Sequence, residues 1–439
     1  MERFSAVGPG AAREEDAVVK LLHFADLHIG VESHGKPNPL TGLSTRLHDF
    51  LQAFDELVET AIAEQVDVVL FAGDAYKSRN PEQTHQREFA KRIKALTQAG
   101  IPVYLLVGNH DLPTMLSRAH ALEIFTTLGV ERVHIGARLG TTVIDTASGP
   151  LQVVGVPWPT ANQLLRREDF RHVTLEQLDR AVERLIAERI QQEAERLDPN
   201  LPAVLVAHIA MSDSIVKTAS EKWMTAGRFP QLNRSDLSPT AFDYVALGHH
   251  HCFQVLHHHP PMVYAGSMQR VDFGEEADPK GFVLVDLDPT KPRGERVRPE
   301  DVHFHKVTAR RFVTIELKPR EKDPTPEVLD VIARRHVKDA IVRVILTLTP
   351  EQDALLDDRA LRAALAEAHV VTAISRTVDR GTRSRLGTDR PPETLTPLEA
   401  LALYFERNGT PPDRREELLR VARALIDGEE PVMDGVGEP

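Results

Sequence analysis

The sequence predicts an α/β protein, a layered α/β/β/α sandwich followed by a small α/β domain and a C-terminal helical tail. Three observations predict it. Five apolar runs, each short enough to be a strand covered on both faces, end in Asp, Asn or His. Helical periodicity separates the first three runs, the pattern of a parallel sheet with crossover helices. From about Val130 to Pro159 the pattern changes to short strands, and two further strands follow the fifth run, which a simple doubly wound sheet does not accommodate.

The central run is Val68 to Ala72, closed by Gly73, which permits a tight turn, and by the carboxylate of Asp74. Before it, the run from Lys20 ends in Asp26-Leu27-His28. A Gly/Pro/Asn-containing loop follows, and then Leu47, Phe50, Leu51, Phe54, Leu57, Val58, Ala61 and Ile62 repeat at helical spacing over 45–64. After Asp74, Asn80 and Pro81 suit an N-cap and first helical position, with Gly100 as the stop. The run from Pro102 ends in Gly108-Asn109-His110-Asp111. Ser148-Gly149-Pro150 predicts a turn between strands at Thr142–Asp145 and Leu151–Val156. Thr174 and Gln177 form a capping-box pattern ahead of a long helix. The last two runs deliver His208 and Gly248-His249-His250-His251, and strands at Met262–Ala265 and Phe282–Asp286 close the first domain.

The domain boundaries expected on this basis are a leader (1–17), a first domain (18–286), a charged, Pro-rich linker (287–305) and an α/β domain (306–380). A second linker (381–395) and a tail of two amphipathic helices (396–428) follow. The formal net charge of −12 rules out a global basic field for nucleic acid. The single cysteine, Cys252, excludes an intramolecular disulfide framework and fits a reducing compartment. No stretch reads as a signal peptide or a membrane span, so a cytoplasmic enzyme is expected.

Asp, His and Asn side chains at the carboxyl ends of five strands point to one shared metal centre, because open α/β sheets place their ligand sites there. Carboxylate, imidazole and amide oxygen suit Mn²⁺, Fe²⁺ or Zn²⁺, and the shortage of thiolate argues against a structural zinc site. Asp74, at the end of a central strand, is the natural bridge between two ions. Such a pair hydrolyses phosphate esters by in-line attack.

Asp26-Leu-His28, Gly73-Asp74, Gly108-Asn-His-Asp111, Ala207-His208 and Gly248-His-His-His251, in this order, resemble the calcineurin-like metallophosphoesterases. Arg46-Leu-His-Asp49 with Ala53-Phe54, and Tyr264-Ala-Gly-Ser267, resemble one branch, the SbcD-type nucleases. These are bacterial relatives of the eukaryotic double-strand-break repair nuclease subunit. The resemblance covers roughly residues 20–430 and implies a metallophosphoesterase sandwich with a capping, DNA-binding α/β domain. It implies two Mn²⁺ ions: Asp26, His28, Asp74 and His251 on one, and Asp74, Asn109, His208 and His249 on the other. His110 is then the catalytic imidazole. Archaeal and eukaryotic members carry His three positions after the bridging acid, where Lys77 stands here. Lysine suits holding a phosphate rather than shuttling protons, and Ser267 is either a phosphate contact or a turn residue after Gly266.

The resemblance further implies a homodimeric, nucleoid-associated DNA exonuclease or endonuclease in repair, recombination and replication. It would act on duplex ends, single strands and hairpins, with an SbcC-type ATPase docked on the C-terminal helices. A phosphatase or cyclic-nucleotide phosphodiesterase is the second reading, and a catalytically silent scaffold the third. Against the scaffold, every expected ligand is present. His250 is expected to point away from its neighbours, His257–His259 to form a solvated turn, and Asp111 to be a helix N-cap rather than a ligand.

Overall fold

The computed structural model describes residues 18–113, 118–159, 174–215, 230–379 and 395–426. The expected leader, residues 381–394 of the expected second linker and the last two residues of the expected tail lie outside them. The chain divides into two compact units. The first comprises residues up to Thr314 with Arg335–Arg343 and Glu367–Ala373; the second comprises Ile315–Arg334, Val344–Ala366 and the chain from Ile374.

In the first unit, β1 (Val19–Phe24), α1 (Thr45–Ala63), β2 (Val68–Phe71), α2 (Gln83–Gln98), β3 (Val103–Leu106), α3 (Glu123–Thr127) and β4 (Val133–Gly136) alternate. The hairpin β5 (Gly140–Thr146) and β6 (Gly149–Val156), α4 (Leu175–Glu195), β7 (Ala203–His208), and the short β8 (Ala210–Met211) and β9 (Gln231–Leu232) follow. Then come β10 (Tyr244–Gly248), β11 (Gln254–His258), β12 (Pro261–Tyr264), β13 (Gly281–Leu287) and β14 (Val302–Lys306). Twelve of them form two six-stranded sheets, ordered β14-β13-β1-β2-β3-β4 and β11-β12-β10-β7-β6-β5, and β8 pairs with β9 alone. The strands bearing the motifs are parallel within each sheet, β1 with β2, β2 with β3, and β7 with β10.

Side-chain alternation explains the layers. In β1, Leu21 faces the other sheet with Leu70, Tyr104, Leu106, Val204, Val206 and Ala246. Its neighbours Leu22 and Phe24 turn to the opposite face, where Phe54 and Leu57 of α1 and Phe89 and Ile93 of α2 cover them. Leu205 and Leu247 meet Val182, Ile186 and Ile190 of α4 on the far side of the second sheet. The motif-bearing strands β1, β2, β3, β7 and β10 are thus covered on both faces, which is why their sequences are so apolar. Phe54 lies 5.6 Å from the Phe24 ring, and its truncation to alanine costs about 3–5 kcal/mol.

Ser44 caps α1 through its side chain, and the Thr174–Gln177 capping box is formed. Three expectations need correction. Helix α2 begins at Gln83 with Glu82 as an N-cap that makes no side-chain bond, so Asn80 and Pro81 precede it. Residues 287–305 are not a linker: β14 is the edge strand of the first sheet, and Arg296 is buried against Asp243 and backbone carbonyls. A buried, paired guanidinium looks the same in sequence as a solvated one. The two consecutive strands expected near the end of the domain are present, β12 in the second sheet and β13 in the first. His257 and His258 belong to β11, paired with β12, rather than to a turn alone.

The second unit draws on β15 (Phe312–Leu317), α5 (Thr325–Arg334), β16 (Ile341–Leu348), α6 (Pro350–Leu355), α7 (Asp358–Ala364) and β17 (Val370–Val378). The strands form one sheet in the order β15-β16-β17. The expected domain start at 306 therefore moves to Ile315, and parts of the expected domain group with the first unit. The tail is α8 (Pro397–Arg407), opened by a Thr396–Glu399 capping box, and α9 (Pro412–Ile426).

Candidate metal centre

The carboxyl ends of β1, β2, β3, β7 and β10 bring all seven predicted ligands together. Asp26, His28, Asp74, Asn109, His208, His249 and His251 are each buried. His28 Nε2 lies 3.0 Å from His251 Nε2, 4.0 Å from Asp26 Oδ1 and 3.8 Å from Asp74 Oδ2. His208 Nε2 lies 3.4 Å from Asp74 Oδ2 and 2.9 Å from Asn109 Oδ1, which is 3.3 Å from His249 Nδ1. Two groups of ligand atoms therefore meet at Asp74.

Ligand atoms of Asp26, His28 and His251 lie within 4.8 Å of one another, as do those of Asp26, Asp74 and His208, and those of His28, Asp74 and His110. This donor set suits a hard or borderline divalent cation. The electrostatics fit one as well. Burial pushes the Asp26 carboxyl up to about 6, against the pull of His208 and His251. Burial also opposes ionisation of Asp74, but His208, His110 and His28 outweigh it and hold that carboxyl well below its ordinary value. Burial alone would lower His208, yet Asp74 and Asp26 raise it to about 9. Among the described residues, the ion pairs to both carboxylates come from histidines alone. A bound cation replaces the protons that these imidazoles otherwise supply.

The backbone is bent to reach this arrangement. Asp26 (φ 51°), His28 (φ 47°), Asp74 (φ 65°) and His249 (φ 105°) all adopt left-handed conformations, which cost about 1–3 kcal/mol each in non-glycine residues. Cross-links hold them there. The Asp26 amide donates to Gly73 O at 3.0 Å, and the His28 amide to Asp74 O at 3.1 Å. The His249 amide donates to both oxygens of Asp26. Asp111 accepts from the amides of Asp74, Ala75 and Gly108 at 2.9–3.0 Å. It is a brace between two ligand loops, rather than an N-cap or a ligand.

Two of the candidate ligand imidazoles have their tautomers set by a partner. His208 Nδ1 donates to Ala72 O at 2.7 Å, and His251 Nδ1 donates to Glu275 Oε1 at 2.7 Å, so each offers Nε2. Half-buried His110 donates from Nδ1 to Lys77 O at 2.9 Å, and its ring stands edge-on to His28 at 4.9 Å. Burial lowers its pKa, opposed by Asp74.

The Lys77 side chain is exposed. Ser267 is fully buried, with its hydroxyl donating to Gln269 O and accepting from Lys280. That placement corrects the expectation of a phosphate contact. His250 bonds Ser214 Oγ at 2.8 Å and packs edge-on against Tyr264, but its ring also lies 4.9 Å from that of His249, so it does not point away from its neighbours as expected.

Sequence reasoning missed Trp158, whose ring lies 4.7 Å from that of His249. The signal was present, because the apolar run of β6 leads directly into it. It also missed Glu275 and Lys280, which follow no periodicity.

Fold and site together define a class: a two-sheet α/β sandwich that gathers acids and histidines at its strand ends into a candidate metal centre. The family model described as calcineurin-like phosphoesterase matches residues 19–253, more than half of the 439. The chain belongs to that family.

Relatives share its sequence over longer stretches. A DNA double-strand break repair protein Mre11 from Aeropyrum pernix is 29% identical, over 64% of this chain and 60% of the relative. The SbcD subunit of nuclease SbcCD from Staphylococcus saprophyticus is 26% identical, over 61% and 66%. A DNA double-strand break repair protein Mre11 from Haloferax volcanii is 27% identical, over 76% and 63%. The chain thus spans 60% to 66% of the length of these relatives. No helix among the described residues is long and apolar enough to cross a membrane.

Proposed function

We propose that the protein is a metal-dependent DNA nuclease that hydrolyses phosphodiesters at a two-ion centre. The observation that carries this reading is the position of Asp74, whose Oδ2 lies between His28 Nε2 at 3.8 Å and His208 Nε2 at 3.4 Å. When bound, two divalent cations, Mn²⁺ in this reading, neutralise the phosphate and activate water. Asp26, His28, Asp74 and His251 hold one, and Asp74, Asn109, His208 and His249 the other. The His110 ring, oriented by its bond to Lys77 O, delivers a proton from Nε2 to the leaving oxygen. The exposed ammonium of Lys77 pairs with a phosphate of the bound strand. Trp158, packed on His249, keeps that ligand in place.

Two relatives named Mre11 and one named for nuclease SbcCD support DNA as the substrate. In the same reading the protein is cytoplasmic, associates with the nucleoid, forms a homodimer and works with an SbcC-type ATPase gripped by α8 and α9. The test is end-labelled duplex DNA with Mn²⁺, with and without the ATPase. Mn²⁺-dependent shortening of the labelled strand is expected. Intact DNA beside fast hydrolysis of a small phosphodiester would turn the assignment to a phosphatase or phosphodiesterase.

A further inference from the structure

Glu275 and Lys280 lie outside every motif, yet both side chains are fully buried against the metal centre and form an ion pair at 2.7 Å. One oxygen of the carboxylate, Oε2, takes the ammonium and the Val271 amide. The other, Oε1, accepts from His251 Nδ1 at 2.7 Å. Lys280 Nζ also donates to His251 O at 3.0 Å and to Ser267 Oγ at 2.8 Å. His251 is thereby held twice, by its ring through Glu275 and by its backbone through Lys280.

A buried ion pair is weak grounds for stability, since an apolar pair of similar volume often does as well. The geometry gives this pair a different purpose. We propose that Glu275, locked by Lys280, is the positioning residue for His251: it fixes the Nδ1–H tautomer and aims Nε2 at the group formed with Asp26 and His28. The inference rests on the reading of His251 as a metal ligand.

The centre is also asymmetric. His251 is backed by a carboxylate, whereas His208 is backed by the neutral carbonyl of Ala72. A carboxylate partner raises the basicity of a ligating imidazole, and its loss costs about 10–100-fold in metal affinity. Glu275 therefore strengthens one of the two sites and not the other.

The experiment is a calorimetric Mn²⁺ titration of the metal-free full-length protein, with electron paramagnetic resonance to count bound ions. Glu275→Gln is expected to weaken one Mn²⁺ site by about 10–100-fold and leave the other unchanged. That variant also strands the buried ammonium. The double variant Glu275→Gln/Lys280→Met removes both charges, and is expected to regain thermal stability while keeping the weakened site. Glu275→Asp keeps the charge but withdraws it by one methylene, and is expected to weaken the same site. It supplies the answer if the double variant does not fold. Wild-type affinity at both sites in a folded double variant, or in Glu275→Asp, overturns the positioning role. His251→Ala separates the two failures. Loss of one ion there, beside an unaffected Glu275 variant, overturns the positioning role alone. Two tightly bound ions in His251→Ala overturn the ligand assignment beneath it.

Discussion

His208 Nδ1 donates to the carbonyl oxygen of Ala72 at 2.7 Å, tying the last residue of β7 in one sheet to the end of β2 in the other. The two sheets approach so closely here that the glycines preceding the ligands have no room for a side chain. A Cβ on Gly73 would collide with His208 Nδ1, one on Gly108 with Asp74 Oδ1, and one on Gly248 with Ala72 O. Gly73 also has φ 100°, a conformation that L side chains rarely adopt.

Gly73→Ala is therefore expected to displace the His208 ring and reduce Mn²⁺ binding, with a stability loss of at least about 1–3 kcal/mol from the backbone. Urea denaturation with and without Mn²⁺ measures both effects. Wild-type stability and unchanged metal binding would show that the loop relaxes freely.

Asp74→Asn tests the shared position. The buried carboxylate lies between His28 and His208, one from each proposed ligand set, and its amide replacement carries no charge. Hydrolysis should fall to background, and Mn²⁺ occupancy should drop at both sites. The stabilisation that Mn²⁺ gives the wild type, removable with a chelator, should shrink accordingly, because a ligand that binds only the folded state raises the unfolding free energy. One ion per chain in the wild type, unchanged in the variant, would sink the two-ion reading.

His110→Ala separates chemistry from binding. Its Nδ1 is committed to Lys77 O, and its backbone amide donates to Asp74 Oδ1 at 2.8 Å, a bond that alanine keeps. Mn²⁺ and DNA binding should stay near wild type, while kcat falls by about 10²–10⁴-fold, the range for a lost proton-transfer group. Loss of an ion in this variant would place His110 among the ligands.

The pH dependence of stability has an identifiable source in His23, buried between the sheets with Nδ1 2.9 Å from Tyr244 Oη. Burial lowers its pKa from 6.5 to about 3. Between these values the unfolded chain binds the additional proton. Stability from this group is thus complete above pH 6.5 and lost as pH falls toward 3, by at most about 1.4 kcal/mol per pH unit. In His23→Phe that loss disappears, so the stability gap between the two proteins should narrow in acid. A gap that stays constant between about pH 8 and pH 5 would exclude His23 as the source.

The strands that build the site were legible because each is covered on both faces and ends in a polar residue. Val68–Phe71 is too short and too apolar for anything but a buried strand, and Gly73-Asp74 marks where it ends. Helix α1 was legible because Leu47, Phe50, Phe54 and Leu57 recur at helical spacing. Which sheet each strand joins was not, since β12 and β13 are equally apolar and only tertiary contacts divide them. The same holds for charges that the fold buries. Arg296 and Lys280 look like surface residues until Asp243 and Glu275 are brought to them from 53 and 5 residues away in the chain. For the same reason the sequence left Ser267 open between a phosphate contact and a turn residue, whereas the fold gives its hydroxyl to Lys280.

The tail yields the last prediction. Helices α8 and α9 have no buried residue, and Tyr404, Leu425 and Ile426 are 54%, 62% and 48% exposed. Helices of 11 and 15 residues are marginal in water without packing, and an exposed apolar stripe marks a partner surface. The proposed occupant is the coiled-coil base of an SbcC-type ATPase, held as a helix in a groove. Deleting residues 391–439 tests this. The truncated protein should stay folded and keep Mn²⁺-dependent cleavage of short or single-stranded DNA, because the strand-end residues of the metal centre are untouched. It should fail to co-purify with the ATPase, and ATP-stimulated processing of duplex ends should disappear. Full-strength binding of the ATPase by the truncated protein would move the docking surface elsewhere. Loss of folding would mean that the tail's apolar faces serve the protein's own stability instead.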